Sequence, residues 1–196
     1  MSEIKVTKTL RQEIKQRPNL ATWYKETKTL FNAVVSFYFD VYQTNPELIA
    51  DSLNEAVLLS ERFTHRTKEN PNPTNPLATA IDADIPAMLR RAAISTARAA
   101  YQSFTSNLER WQKAKALFEL KPTKKGKKRV YNKRPPVAPR TFNFNPSFYA
   151  GMSKNHSDSE VMVKLWSGTS WQWVKLGLES NLCPGWEYGS PVIVFK

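Results

Sequence analysis

Arg90, Arg91, Arg98 and Gln102 stand within one stretch of helical periodicity, and their side chains carry the most distinctive chemistry in the sequence. Arg91 and Arg98 are seven residues apart and share a helix face with Gln102, so two guanidinium forks and an amide could lie along a duplex groove or a phosphate backbone. On spacing alone, a solvated face with internal ion pairs is the commoner use of such residues. Downstream, Lys124, Lys125, Lys127, Lys128, Arg129, Lys133 and Arg134 form a cationic run around Tyr131. A run of this kind can track phosphates and stack a base on the phenol ring, or remain a solvated tail until a polyanion orders it. Arg140, Thr141, Asn143 and Asn145 interleave with Phe142 and Phe144, so an extended chain would turn the rings one way and the polar groups the other. That arrangement suits groove contact, and it equally suits a plain edge strand.

No comparable constellation points to catalysis. A metal-dependent nuclease needs carboxylates that converge on its ions, whereas Asp82 and Asp84 flank a helix start and Asp158 and Glu160 flank a strand. There is no glycine-rich phosphate loop, and His65 and His156 have no carboxylate or thiol partner at useful spacing. Cys183 is the sole cysteine, which excludes an internal disulfide and a zinc site of the usual Cys and His type. The expectation is therefore no catalytic residue, no metal and no cofactor.

Net charge names the partner class. Across 196 residues, 29 Lys and Arg stand against 17 Asp and Glu, a formal +12, and such a field attracts polyanions and releases their counterions. An anionic membrane surface would suit the charge too, but no run of about 18 apolar residues is present. Residues 1–16 lack a secretory apolar core, so a cytoplasmic location with no membrane partner is expected.

The elements that must position these side chains are legible from periodicity. Ile4, Val6 and Leu10 alternate with Lys5, Thr7, Thr9 and Arg11, which predicts a half-buried strand whose outer face, Lys5, Thr7 and Arg11 included, could brace RNA. After Pro18, with Asn19 as N-cap, Leu20, Trp23, Thr27, Phe31, Val34, Tyr38 and Val41 predict a long amphipathic helix. Asn45 and Pro46 predict the start of a second helix running toward Phe63. Asn-Pro dipeptides make residues 68–76 a loop, and a third helix is expected from near Asp84 and Pro86 to Trp111. The neighbouring alanines Ala92, Ala93, Ala97, Ala99 and Ala100 would let another backbone approach closely, which points to tight helix packing there. Between Glu109 and Arg140 lie twelve Lys or Arg against two Glu, with Pro122, Pro135, Pro136 and Pro139, which predicts an extended basic loop. Val161, Val163 and Leu165 alternate with Met162, Lys164 and Trp166 before a turn at 167–170 and a return strand from Trp171 to Leu178. Trp166, Trp171 and Trp173 are of the type that fills a small β core, and base stacking is the rarer alternative. A last strand is expected from Val192 to Phe195.

A strand, three helices and further strands together predict an α+β protein, an antiparallel β unit interrupted by a helical insertion. Leu89-Arg90-Arg91-Ala92-Ala93, Ala100-Tyr101-Gln102-Ser103-Phe104, Leu108-Glu109-Arg110-Trp111 and the Lys and Pro-rich stretch after them resemble the TnpB family, as do Phe142-Asn143-Phe144, Phe148-Tyr149 and the hairpin that follows. These are transposon-encoded, RNA-guided DNA endonucleases of prokaryotes, long described as OrfB-type transposases. The resemblance implies a small antiparallel β-barrel, the wedge domain, at 1–17 and 141–196, interrupted by a recognition domain of about three helices at 18–120, with the basic loop at 121–140 between them. It implies guide RNA and double-stranded DNA as partners, with Arg91 and Thr141 near the residues that contact the target-adjacent motif. The family's nuclease carboxylates and zinc cysteines have no counterpart in this sequence, so the resemblance covers the recognition half alone, with a separately encoded nuclease half as a conceivable partner. A stand-alone scaffold or DNA-binding regulatory protein derived from the family, and a metal-dependent nuclease with an unrecognised site, are the rival readings.

Overall fold

The computed structural model describes residues 12–15, 19–120, 130–157, 159–179 and 189–194. The chain divides into two compact units, one comprising residues 1–29 with 145–196 and the other residues 30–144. It is an α+β protein. The helical elements are α1 (Leu20–Thr44), a 3-10 turn (Pro46–Ile49), α2 (Leu53–Thr64), the single-turn α3 (Leu77–Ala80) and α4 (Ala87–Leu120). The strands are β1 (Ser153–Ser157), β2 (Glu160–Trp166) and β3 (Trp171–Gly177).

In the helical unit the apolar stripe of α1 becomes the core. Phe31, Val34, Val35, Tyr38, Phe39 and Tyr42 are buried, as are Ala56, Ser60 and Thr64 of α2 and Leu89, Ala93, Ile94 and Ala97 of α4. The small residues of α2 and α4 let the helices approach closely enough for the α1 aromatics to fill the space between them. Burying two phenols requires partners for their hydroxyls. Tyr38 Oη lies 2.9 Å from Thr64 Oγ1 and Tyr42 Oη 2.9 Å from Ser60 Oγ, so the polar residues on the inner face of α2 satisfy the rings of α1.

Two helix boundaries differ from the sequence expectation. The helix expected from Asn45 to Phe63 is broken, because Ala50 adopts φ 44° and ψ 166°, a conformation no helix contains. Hydrophobic periodicity continues across the break and cannot register it. The local signal is polar: the Ser52 hydroxyl accepts from the Glu55 N–H at 3.2 Å and starts α2 afresh. Asn45, expected to cap forward, instead donates its amide back to the Val41 carbonyl at 3.1 Å. At the far end, α4 runs on to Leu120, beyond Trp111. The added turns are rich in Lys, Ala, Leu and Glu, good helix formers, and Lys115 and Glu119 pair at 3.7 Å one turn apart.

In the other unit, β1, β2 and β3 form an open antiparallel sheet in that order. The hairpin falls where alternation places it, with Trp166 opposite Trp171 and Gly168 taking φ 99° in the turn. Residues 12–15 run along the end of β3, where Ile14 bridges Leu178 and the Lys15 N–H donates to the Gly177 carbonyl at 2.9 Å. The strand expected over residues 4–11 lies outside the described residues. Of the expected last strand, Val192 forms a single bridge, to Ser147. The first turns of α1 belong to this unit: Tyr24 Oη donates to the Ile193 carbonyl at 2.6 Å, and Thr27 Oγ1 accepts from the Trp166 N–H at 2.7 Å.

Burial of Tyr24 pushes its pKa from the ordinary value of 10.0 up to about 12, and burial raises Tyr38 and Tyr42 as well. The unfolded chain loses these protons first, so the stability tied to keeping the phenols neutral is complete below pH 10 and declines as pH rises through 12. Denaturant midpoints measured across this range should hold steady up to about pH 10 and then fall steeply. A midpoint that stays level to pH 12 would contradict the burial of these rings.

Candidate nucleic-acid interface

Beyond Ala97 no residue of α4 is fully buried, yet the helix continues for more than six turns. What covers its aromatic side is an extended strap, residues 130–144. Pro135, Pro136 and Pro139 exclude helix from this stretch and preset it as an extended chain. Both ends of the strap are pinned. At one end the Trp111 indole N–H donates to the Lys133 carbonyl at 2.8 Å, and the Tyr131 ring packs at 6.0 Å from Trp111 and 5.4 Å from Phe118. At the other, the Asn32 side chain exchanges two hydrogen bonds with the Phe144 backbone, at 2.8 and 2.9 Å. Phe142 stacks on Phe144 at 5.9 Å and meets Phe39 at 5.2 Å.

Phe142 packs inward against Phe39, whereas Phe144 stays 40% exposed beside the polar groups of the strap. Lys133, Arg134, Arg140, Thr141 and Asn143 are all exposed. The cations of Lys133, Arg134 and Arg140 are in no ion pair among the described residues, which leaves three fixed positive charges on a preset backbone. Arg110 and Lys113, on the exposed side of α4 next to Trp111, add two more.

The arginines of α4 are arranged differently. Arg90, with its side chain 6% exposed, donates to Glu61 Oε1 from Nε and Nη2 at 3.1 and 2.9 Å, and from Nη1 to the Ile85 carbonyl at 3.4 Å. Arg91 grips the same carboxylate from the other side, with Nε 3.2 Å from both oxygens and Nη2 3.1 Å from Oε2, while 42% of its side chain stays exposed. These are internal ion pairs of the kind the spacing alone favours. Two guanidiniums on one carboxylate leave a local excess of positive charge. Nearby His65 feels it: its pKa is lowered first by burial and then by the charge of Arg90. Arg98 donates to the carbonyls of Ile49, Ala50 and Asp51 at 2.8, 2.9 and 3.1 Å, clasping the chain at its left-handed residue and capping the 3-10 turn. Gln102 lies one turn further on and is half-buried.

Of the residues singled out from sequence, the strap therefore gathers Lys133, Arg134, Arg140, Thr141 and Asn143, while Arg90, Arg91 and Arg98 are engaged within the helical unit. Lys124, Lys125, Lys127, Lys128 and Arg129, together with Lys5, Thr7 and Arg11, lie outside the described residues. Trp111 and Asn32 were not singled out as site residues, although they hold the strap in place. The indole was readable as part of the helical stripe, but nothing local marks Asn32, whose partner is 112 residues away. Among the described residues no three His, Cys, Asp or Glu side chains converge to hold a metal ion, and no helix is long and apolar enough to cross a membrane.

Comparison with known families gives one assignment. The family model of Aq_aa04 matches residues 8–167. The chain belongs to the Aq_aa04 family. All four helices, the Glu61 cluster and the strap fall inside the Aq_aa04 match, whereas Trp171, Trp173 and Lys175 of β3 lie past its end. No curated protein and no solved structure matches the chain.

Proposed function

We propose that this protein binds nucleic acid, with the strap at residues 130–144 as a phosphate-tracking surface. The observation that carries the reading is the strap itself: three exposed cations without acidic partners among the described residues, held on a proline-preset backbone between two aromatic anchors. Preset geometry lowers the ordering cost that a free basic tail pays on binding. Thr141 and Asn143 supply neutral hydrogen-bonding groups beside Arg140, suited to phosphate or base edges. Lys124, Lys125, Lys127, Lys128 and Arg129 precede the strap in sequence and extend the same charge. Arg91 keeps an outward edge for a groove contact, while Arg90 and Arg98 serve to build the helical unit.

In its narrower form the proposal follows the resemblance to the TnpB family: a guide-RNA and target-DNA recognition half without its nuclease. A closed wedge barrel belongs to this narrower form, and it would need the strand at residues 4–11 to complete the open sheet.

The test is direct binding of the intact chain to labelled RNA and duplex DNA across a salt series. Counterion release predicts a linear fall of log affinity with log salt, with a slope set by the number of phosphates neutralised. Five strap and α4 cations would give a slope of roughly 3.5 to 4.5. Absence of binding at about 50 to 100 mM salt would sink the reading.

A further inference from the structure

The three tryptophans of the sheet do not sit where a core would put them. In the β2–β3 register Trp166 faces Trp171, Lys164 faces Trp173 and Met162 faces Lys175, and across β1 Met162 also faces Lys154. Paired residues share a sheet face. The other face carries Val163, Leu165 and Leu176, all buried. Trp166, Trp171 and Trp173 thus stand on the side away from the buried aliphatic residues, and each is partly exposed. Trp166 and Trp171 lie 5.3 Å apart at 51°, and the Lys154 ammonium sits 4.1 Å from the Trp173 ring centroid.

Lysines surround these rings. Among the described residues Lys154, Lys164 and Lys175 share the face with one carboxylate, Glu160, which pairs with Lys175 at 2.5 Å. Partly exposed tryptophans alone would suit a protein partner, but protein interfaces are depleted in lysine, and a face with an excess of positive charge favours a polyanion. The ligand that offers flat π surfaces together with regularly spaced negative charge is a single-stranded nucleic acid. A duplex hides its base faces in its own stack, so it can use the lysines of this sheet but not its rings.

We infer that the outer face of β1–β2–β3 is a base-stacking platform for single-stranded RNA or DNA. Trp171 and Trp173 supply the stacking rings, and Lys154 and Lys164 supply phosphate contacts. The inference rests on the nucleic-acid reading above and narrows it, since the strap accepts any phosphodiester chain whereas this face selects unpaired strands.

The experiment uses the full chain with a fluorescein-labelled oligo(dU) 12-mer and a 12-base-pair duplex, read by anisotropy, with intrinsic tryptophan fluorescence followed alongside. In the unaltered protein the single strand should quench indole emission and the duplex should not. Trp173→Leu and Trp171→Leu should each weaken single-strand binding by roughly five- to a hundredfold while leaving duplex affinity within about twofold. Trp173→Phe keeps a ring and should recover most of the loss, which separates stacking from a folding defect. Equal loss on both probes, or no loss on either, overturns the platform. If duplex and single strand both bind without quenching, the platform falls and the strap reading survives. If neither probe binds, both fall together.

Discussion

Changing Lys133, Arg134 and Arg140 together to glutamate is expected to weaken RNA and duplex DNA binding roughly one hundred- to five-hundredfold at about 0.1 M salt. Each phosphate contact releases a little under one counterion, so at about 0.1 M it contributes slightly less than tenfold relative to 1 M, where release gains nothing. Removing three such cations accounts for a fall of roughly that size, and the new negative charges add repulsion. The slope of log affinity against log salt should fall by about two to three, which a general unfolding would not produce selectively. All three side chains are exposed and in no ion pair among the described residues, so thermal stability should stay within about 0.5 kcal/mol per site. The strap's anchors are aromatic and backbone contacts, and the substitutions leave those untouched. An unchanged salt slope would show that phosphate is held elsewhere.

The largest effect on stability is expected at Glu61. Its carboxylate is the counterion of Arg90, a guanidinium that solvent scarcely reaches, and it also binds Arg91. Among the described residues, Glu61→Ala would leave the buried Arg90 charge with only the Ile85 carbonyl as acceptor, and breaking a buried pair from one side costs about 3–5 kcal/mol. Against the ~5–15 kcal/mol that holds a domain of ordinary stability, that is a large fraction, and it corresponds to a fall of roughly 10 °C in the melting midpoint. The pair is a requirement of its own burial more than a source of net stability. Glu61→Leu combined with Arg90→Met should therefore recover most of the loss, because apolar replacements of similar volume remove both desolvation costs together. Calorimetry or denaturant melts of the two variants decide the matter. A loss below about 1 kcal/mol in Glu61→Ala would mean that Arg90 escapes to solvent.

Periodicity in this chain speaks for the elements with a single apolar face. The stripe from Leu20 to Val41 specifies α1, and alternation about residues 167–170 specifies the β2–β3 pairing, because side-chain direction follows from helical and strand repeats alone. Positive charge after Glu109 is equally plain from composition. Local polar chemistry is read less easily: Ser52 and Glu55 divide a continuous apolar pattern into two elements, and only their hydrogen bond reveals the division. Partnerships across long separations were not legible at all. Whether an arginine faces a phosphate or a carboxylate depends on what folding brings against it, and Glu61 reaches Arg90 and Arg91 only when α2 packs on α4. The same holds for Asn32 at Phe144 and for the side of the sheet on which the partly exposed tryptophans stand. Residue type sets which bonds a side chain can make, and tertiary packing, through proximity and exclusion of water, selects the one it does make.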